Sequence, residues 1–188
     1  MFEALLKKVS IELNKNKIPY MIIGGQAVLL YGEPRFTRDI DITLGVDVDS
    51  FQDILSITEK LGLKPAADDP EKFAAKTNVF PVIDGKSGIR IDFIFSFSAY
   101  EREALKRAKH VAVSGVKVKY ISAEDLIIHK LIAGRPRDIE DVKNVLARKK
   151  RLDIKYIRKW LRSFDDSLSM KHMDRFEGIL KWIKRDLL

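Results

Sequence analysis

The chain has 188 residues, 46% of them hydrophobic, which suits one domain of ordinary size, alone or with a helical extension, and excludes global disorder. It contains no cysteine, which excludes disulfides, zinc–thiolate sites and cysteine nucleophiles, and its three histidines, His110, His129 and His172, form no ligand pair at helical spacing. Its net charge of +8 resides within residues 143–188, where 14 Lys+Arg face 6 Asp+Glu.

Metal chemistry in such a chain rests on oxygen ligands, which points to magnesium or manganese. The opening MFEALLKKVS lacks the apolar run of a signal peptide, and no stretch approaches the roughly 18 apolar residues of a membrane span. The expectation is a soluble, cytoplasmic protein with no membrane partner.

Residues 2–16 predict an amphipathic helix, with Leu5, Val9 and Leu13 along one stripe. Tyr20 to Ile23 predicts a short strand running into Gly24-Gly25, and QAVLLY then reads as a helix closed by Gly32. After the turn EPRFTR, Asp39 to Leu44 alternates as a half-buried strand does. Asp49 is expected to cap a helix to about residue 61, with Gln52 completing a capping box. Residues 63–88 read as irregular, apart from a strand near 78–83. Ile89 to Phe95 predicts a strand with Ile89, Ile91, Phe93 and Phe95 on one face, and residues 98–108 predict a helix. Val111–Val113 and Val116–Ile121 flank Ser114-Gly115 as a hairpin. The rest reads as helical. Ser122 caps a helix stopped by Gly134, Asp138 caps the next, and two more follow near 153–163 and 169–187, with Trp160 and Trp182 at core-facing positions. The expected fold class is α+β, a mixed β-sheet flanked by helices with a helical C-terminal extension. The expected domain line divides 1–121 from a basic 122–188.

The chemistry concentrates in YMIIGGQAVLLYGEPRFTRDIDITL, residues 20–44. Asp39 and Asp41 stand two apart on a strand, so both leave the same face while Ile40 and Ile42 face the core. Carboxylates held side by side repel, and a divalent cation removes that conflict. Asp92 in GIRIDFIFS lies between buried apolar neighbours and could join them, or could simply pair with Arg90 across one strand face. Gly24-Gly25, where a strand meets a helix N-terminus, could offer free N–H groups to phosphate oxygens, or be no more than a tight turn. Asp47-Val48-Asp49 repeats the spacing but follows Gly45, and reads as loop and cap.

This arrangement resembles the nucleotidyltransferase superfamily with the polymerase-beta-like fold. The likeness is carried by Ile22-Ile23-Gly24-Gly25, a spacer, Asp39-Ile40-Asp41-Ile42, and the later Asp92. Arg35-Phe36-Thr37-Arg38 resembles the variant of stand-alone prokaryotic members, including the toxin group related to AbiEii, as does the stretch from His129-Lys130-Leu131 to Arg135-Pro136-Arg137-Asp138-Ile139-Glu140-Asp141. The resemblance implies that Asp39, Asp41 and Asp92 bind metal (magnesium or manganese) and act in catalysis. It implies that Gly24, Gly25 and Lys130 hold an NTP substrate, and that Arg35 assists there. Many members have Gly-Ser in place of Gly24-Gly25, so backbone amides must suffice for the phosphate here.

Several residues keep a second reading. Asp138 and Asp141 could serve only as helix caps, Lys130 could lay its stem over apolar surface, and Arg135 and Arg137 could sit in solvent. The expected reaction moves an NMP from an NTP to an acceptor hydroxyl or amine. The basic run of residues 148–162 favours RNA, such as a tRNA end, as acceptor, and the toxin likeness adds an antitoxin protein as a candidate partner. An antibiotic acceptor fits the motif too, but such substrates are cationic and ill-matched to a +8 chain. The competing class is a non-catalytic nucleotide- or RNA-binding module on the same fold.

Overall fold

Alternation along two strands decides where the core lies. In the computed structural model, which describes residues 1–96, 98–168 and 171–186, Asp39–Leu44 (β2) and Arg90–Phe95 (β5) run parallel and side by side. Ile40, Ile42, Ile91, Phe93 and Phe95 are fully buried, so one face of each strand is core and the other carries the polar residues. Around this pair forms a mixed seven-stranded sheet among the described residues, in the order β3-β4-β5-β2-β1-β7-β6. The other strands are Tyr20–Ile22 (β1), Leu63–Pro65 (β3), Val79–Asp84 (β4), Lys109–Val113 (β6) and Val116–Tyr120 (β7). β1 lies antiparallel to β2 and parallel to β7.

The chain divides into two compact units, Met1–Gln26 with Phe36–Ile121, and Ala27–Arg35 with Ser122–Leu188. The first unit holds the whole sheet. Its helix Phe2–Lys15 (α1) packs on β7 and β6 through the stripe that includes Leu5, Val9 and Leu13. Phe51 of the helix Phe51–Lys60 (α3) meets Phe80 edge-on at 4.9 Å, and Phe80 in turn faces Phe93 at 6.5 Å. The helix Ala99–Arg107 (α5) starts in a full capping box of Ser98 and Glu101. The β6–β7 hairpin turns at Ser114 and Gly115, both with positive φ, as a tight two-residue loop requires.

Gly24–Tyr31 (α2) begins in the first unit, and its residues from Ala27 belong to the second. The second unit adds Ala123–Ala133 (α6), Pro136–Arg148 (α7), Ile154–Leu168 (α8) and His172–Asp186 (α9). Ser122 caps α6 by accepting from the Asp125 amide, and Gly134 ends it in the left-handed region. Asp165 of α8 accepts from the His172 and Met173 amides and so caps α9 from a neighbouring helix. The bidentate pair Arg158–Glu177 ties the same two helices at 2.7 and 3.1 Å.

Four expectations are corrected. Residues 63–88 are not irregular, because Asp69 caps a further helix, Pro70–Thr77 (α4), between β3 and β4, using the proline tolerated at a helix start. Asp49 does not cap α3. It lies in a single 3-10 turn capped by Asp47, α3 starts at Phe51, and Gln52 reaches Glu71 instead. Asp138 is not an N-cap, since α7 begins at Pro136 with Arg135 as its N-cap, leaving Asp138 in the first turn. Trp182 is 38% exposed rather than packed in the core, with the Lys143 ammonium 4.7 Å from its ring centroid. Positions 169, 170 and 187 of the last expected helix lie outside the described residues.

Candidate active site

The Ile23 amide donates to the carbonyl of Asp41 at 2.9 Å, which pins the chain reversal at Gly24 against β2. Gly24 has φ +60, and a Cβ there would fall on the Asp41 carboxylate, 2.8 Å from its Cγ. A Cβ on Gly25 would stand 2.8 Å from Cβ of Thr37. Each glycine is thus required by a side chain of the segment leading through β2 that lies against its backbone. α2 starts at this point. Its first amides lack intrahelical acceptors and carry the positive end of the helix dipole, so a polar, anion-tolerant surface adjoins Asp41.

The register of β2 and β5 pairs Asp39 with Arg90 and Asp41 with Asp92. Paired residues on adjacent strands project to the same side at about 4.8 Å spacing, and Asp39 and Asp41 are about 6.6 Å apart along the strand. Three carboxylates and one guanidinium therefore make a two-by-two array on the polar face of the sheet. Thr43, next on that face of β2, is buried. Thr37, which the motif did not single out, donates from Oγ1 to Asp39 Oδ1 at 3.1 Å and orients that carboxylate. Arg90 donates from Nε to Asp92 Oδ1 at 2.7 Å, with side-chain exposures of 51% and 17%. Arg90 is held protonated more firmly than an ordinary arginine by its hydrogen bond to Asp92, against the cost of burial, and by the charges of Asp92, Asp39 and Asp41.

The donor set suits a hard divalent cation: three carboxylates on one partly solvated sheet face, two of them directly opposite. Among the described residues, no three acidic or histidine side chains are gathered into a metal-binding group, and Asp92 is turned to Arg90. The residues fit such an ion by identity and shared face, and Asp92 has to exchange its present partner to join Asp41.

Lys130 and Arg35 belong to the second unit, in a ladder of alternating charge whose centre, Lys130 with Asp138 and Asp141, is buried. Lys130 Nζ stands 2.7 Å from Asp138 Oδ1 and 2.9 Å from Asp141 Oδ2. Arg35 grips both Asp141 oxygens at 2.9 and 3.0 Å, and Arg135 donates to Asp138 Oδ2 at 2.7 Å. Lys130 is 9% exposed and the two aspartates 4% each, so these charges persist only because each is paired. Burial pushes the Asp138 carboxyl up, but the hydrogen bonds from Lys130 and Arg135 outweigh it and hold the group below the usual carboxylate range. A nucleotide contact from Arg35 or Lys130 requires either residue to share or leave these carboxylates.

Of the basic run 148–162, Arg148 donates to the Gly32 carbonyl at 2.6 Å, Lys149 stands over the Tyr31 ring, and Arg158 is held by Glu177. Lys155, Lys159 and Arg162 are exposed at helical spacing along α8, following exposed Lys150 and Arg151. Sequence reasoning named the run but could not tell which cations face solvent.

The mixed sheet flanked by helices is that of nucleotidyltransferase-like folds. The chain belongs to the family described as "Nucleotidyltransferase of unknown function (DUF6036)", whose profile matches residues 2–185. It is thus an enzyme of the nucleotidyltransferase class. Among solved structures, the chain is similar to the antibiotic-resistance factor ANT(2'')-Ia in solution, with 20% identity over 92% of this chain and 97% of that one and a TM-score of 0.62. The same factor in complex with adenylyl-2''-tobramycin matches at 20% identity over 86% and 97%, with a TM-score of 0.59. An antigenic nucleotidyltransferase-like protein from Paracoccidioides brasiliensis matches at 15% identity over 95% and 91%, with a TM-score of 0.60. At these identities the likeness is one of fold, and it agrees with the expected mixed sheet flanked by helices. The comparison with curated proteins found no match. Among the described residues, no helix is long and apolar enough to cross a membrane.

Proposed function

We propose that the protein transfers an NMP from an NTP to a hydroxyl of an RNA acceptor, in a divalent-metal-dependent reaction on the Asp39–Asp41–Asp92 face. The observation that carries this reading is the register that sets Asp41 directly opposite Asp92, with Asp39 two residues away on the same face and Gly24 against Asp41. Gly24 and Gly25 present backbone amides to the phosphate oxygens. Asp39, oriented by Thr37, and Asp41 and Asp92 would hold magnesium or manganese. That ion would supply charge stabilisation for the departing pyrophosphate and acidify the attacking hydroxyl. The acceptor oxygen forms a bond to the α-phosphorus, the bond from that phosphorus to pyrophosphate breaks, and the hydroxyl proton passes to Asp92.

The exposed stripe Lys155–Lys159–Arg162 supports a polyanionic acceptor, drawn by release of its counterions. A cationic antibiotic acceptor gains nothing from that stripe. The resemblance to the AbiEii toxin group, carried by Arg35–Arg38 and by Lys130 to Asp141, makes a tRNA end the RNA to try first and an antitoxin protein the partner to look for. By the same resemblance, Arg35 and Lys130 are the cations to test for an NTP contact.

Incubation with magnesium, each α-labelled NTP and total RNA tests the reading. Label should enter RNA with pyrophosphate release, and Asp41→Asn should abolish it while leaving the circular dichroism spectrum intact. NTP and RNA binding without any transfer would overturn it in favour of a non-catalytic module.

A further inference from the structure

Arg90 stands where a cation is needed. It occupies the fourth corner of the array, opposite Asp39 in register and two residues before Asp92 on the same strand face. Its Nε is 2.7 Å from Asp92 Oδ1.

We propose that Arg90 is a resident counter-cation of this face, which a divalent ion must displace from Asp92, so that Arg90 sets the metal concentration at which the site loads. This role rests on the metal-dependent reading above. Its physical basis is competition for one carboxylate. A guanidinium and a divalent cation sharing Asp92 repel each other, and an ion held by Asp41 would draw on Asp92 as the carboxylate directly opposite. The electrostatics agree, because Asp92, Asp39 and Asp41 all act on this one guanidinium. The side chain is 51% exposed, so it can swing into water while its stem remains on the strand. An exposed pair of this kind adds little to folding, and removing Arg90 should register in metal affinity rather than in the fold.

Calorimetric titration of Mn²⁺ into the full chain tests this, with Arg90→Ala, Arg90→Lys and Asp41→Asn beside the wild type. Arg90→Ala should bind Mn²⁺ on the order of tenfold more tightly than wild type, Arg90→Lys should stay near it, and Asp41→Asn should lose binding. Mn²⁺ should also raise the melting temperature of Arg90→Ala more than that of the wild type. Arg90→Gln, neutral and of similar reach, replaces the alanine variant if circular dichroism shows that variant unfolded. Equal or weaker Mn²⁺ binding by the neutral variant, with Asp41→Asn still abolishing it, would overturn the competition while leaving the metal site in place. No saturable binding in the wild type or the neutral variant, or binding that survives Asp41→Asn, would overturn the metal reading itself.

Discussion

Replacing Gly24 by alanine perturbs both halves of the candidate site at one atom. The backbone has φ +60 there, and the added Cβ falls on the Asp41 carboxylate, 2.8 Å from Cγ. The left-handed conformation costs alanine about 1–2 kcal/mol, and forcing Asp41 off its rotamer adds about 1 kcal/mol, for a loss of about 2–3 kcal/mol. In a chain of this size that lowers the melting temperature by about 4–12 °C. Displacing Asp41 should reduce transfer on the order of a hundredfold, well beyond what the lost stability explains at a temperature where the variant is folded. Gly25→Ala separates a side-chain clash from left-handed backbone strain. Its Cβ meets the Thr37 side chain, its φ is not positive, and its place in the first turn of α2 favours alanine by up to about 1 kcal/mol. No rotamer change moves Thr37 Cβ out of the way, so this variant should lose about 1–2 kcal/mol by overpacking after the propensity gain, without the left-handed strain of Gly24→Ala. Thermal melts by circular dichroism and a pyrophosphate-release assay measure the two effects. A Gly24→Ala protein with unchanged melting and full transfer would refute the claim that Gly24 exists to admit Asp41.

Three further outcomes are expected. Lys130→Met removes from two buried carboxylates the cation they share, and should cost about 3 kcal/mol in urea unfolding, the low end for a broken buried pair. Asp138 is held below the usual carboxylate range against the pull of burial by Lys130 and Arg135, and Asp165 likewise by the Met173 and His172 amides and the His172 ring. Both bind fewer protons in the folded chain, so their contribution is complete above about pH 4 and lost as pH falls through the folded values, a slope in melts below pH 4 that Asp138→Asn should flatten. Changing Lys155, Lys159 and Arg162 together to alanine should weaken RNA binding and reduce the slope of log affinity against log salt by about 2, measured by fluorescence anisotropy across a salt series.

The sequence determined the two strands that matter and which face of each is polar. Period-two alternation in DIDITL and RIDFIF leaves no other way to bury Ile40, Ile42, Ile91 and Phe93, and a one-residue slip would turn every aspartate into the core. It also determined the helix signals at Ser122 and Gly134, which act within one turn of chain. Local signals failed where a competing local partner won. The helix Pro70–Thr77 lies among prolines that read as loop, and Asp138 carries a capping residue's identity but spends both oxygens on Lys130 and Arg135. Only the tertiary structure decided the partners across the sheet. That Asp41 faces Asp92, that Arg90 completes the array, and that Thr37 and Asp41 fill the space above two glycines are consequences of strand order and register. These are fixed by packing among residues far apart in the chain, and no local pattern encodes them.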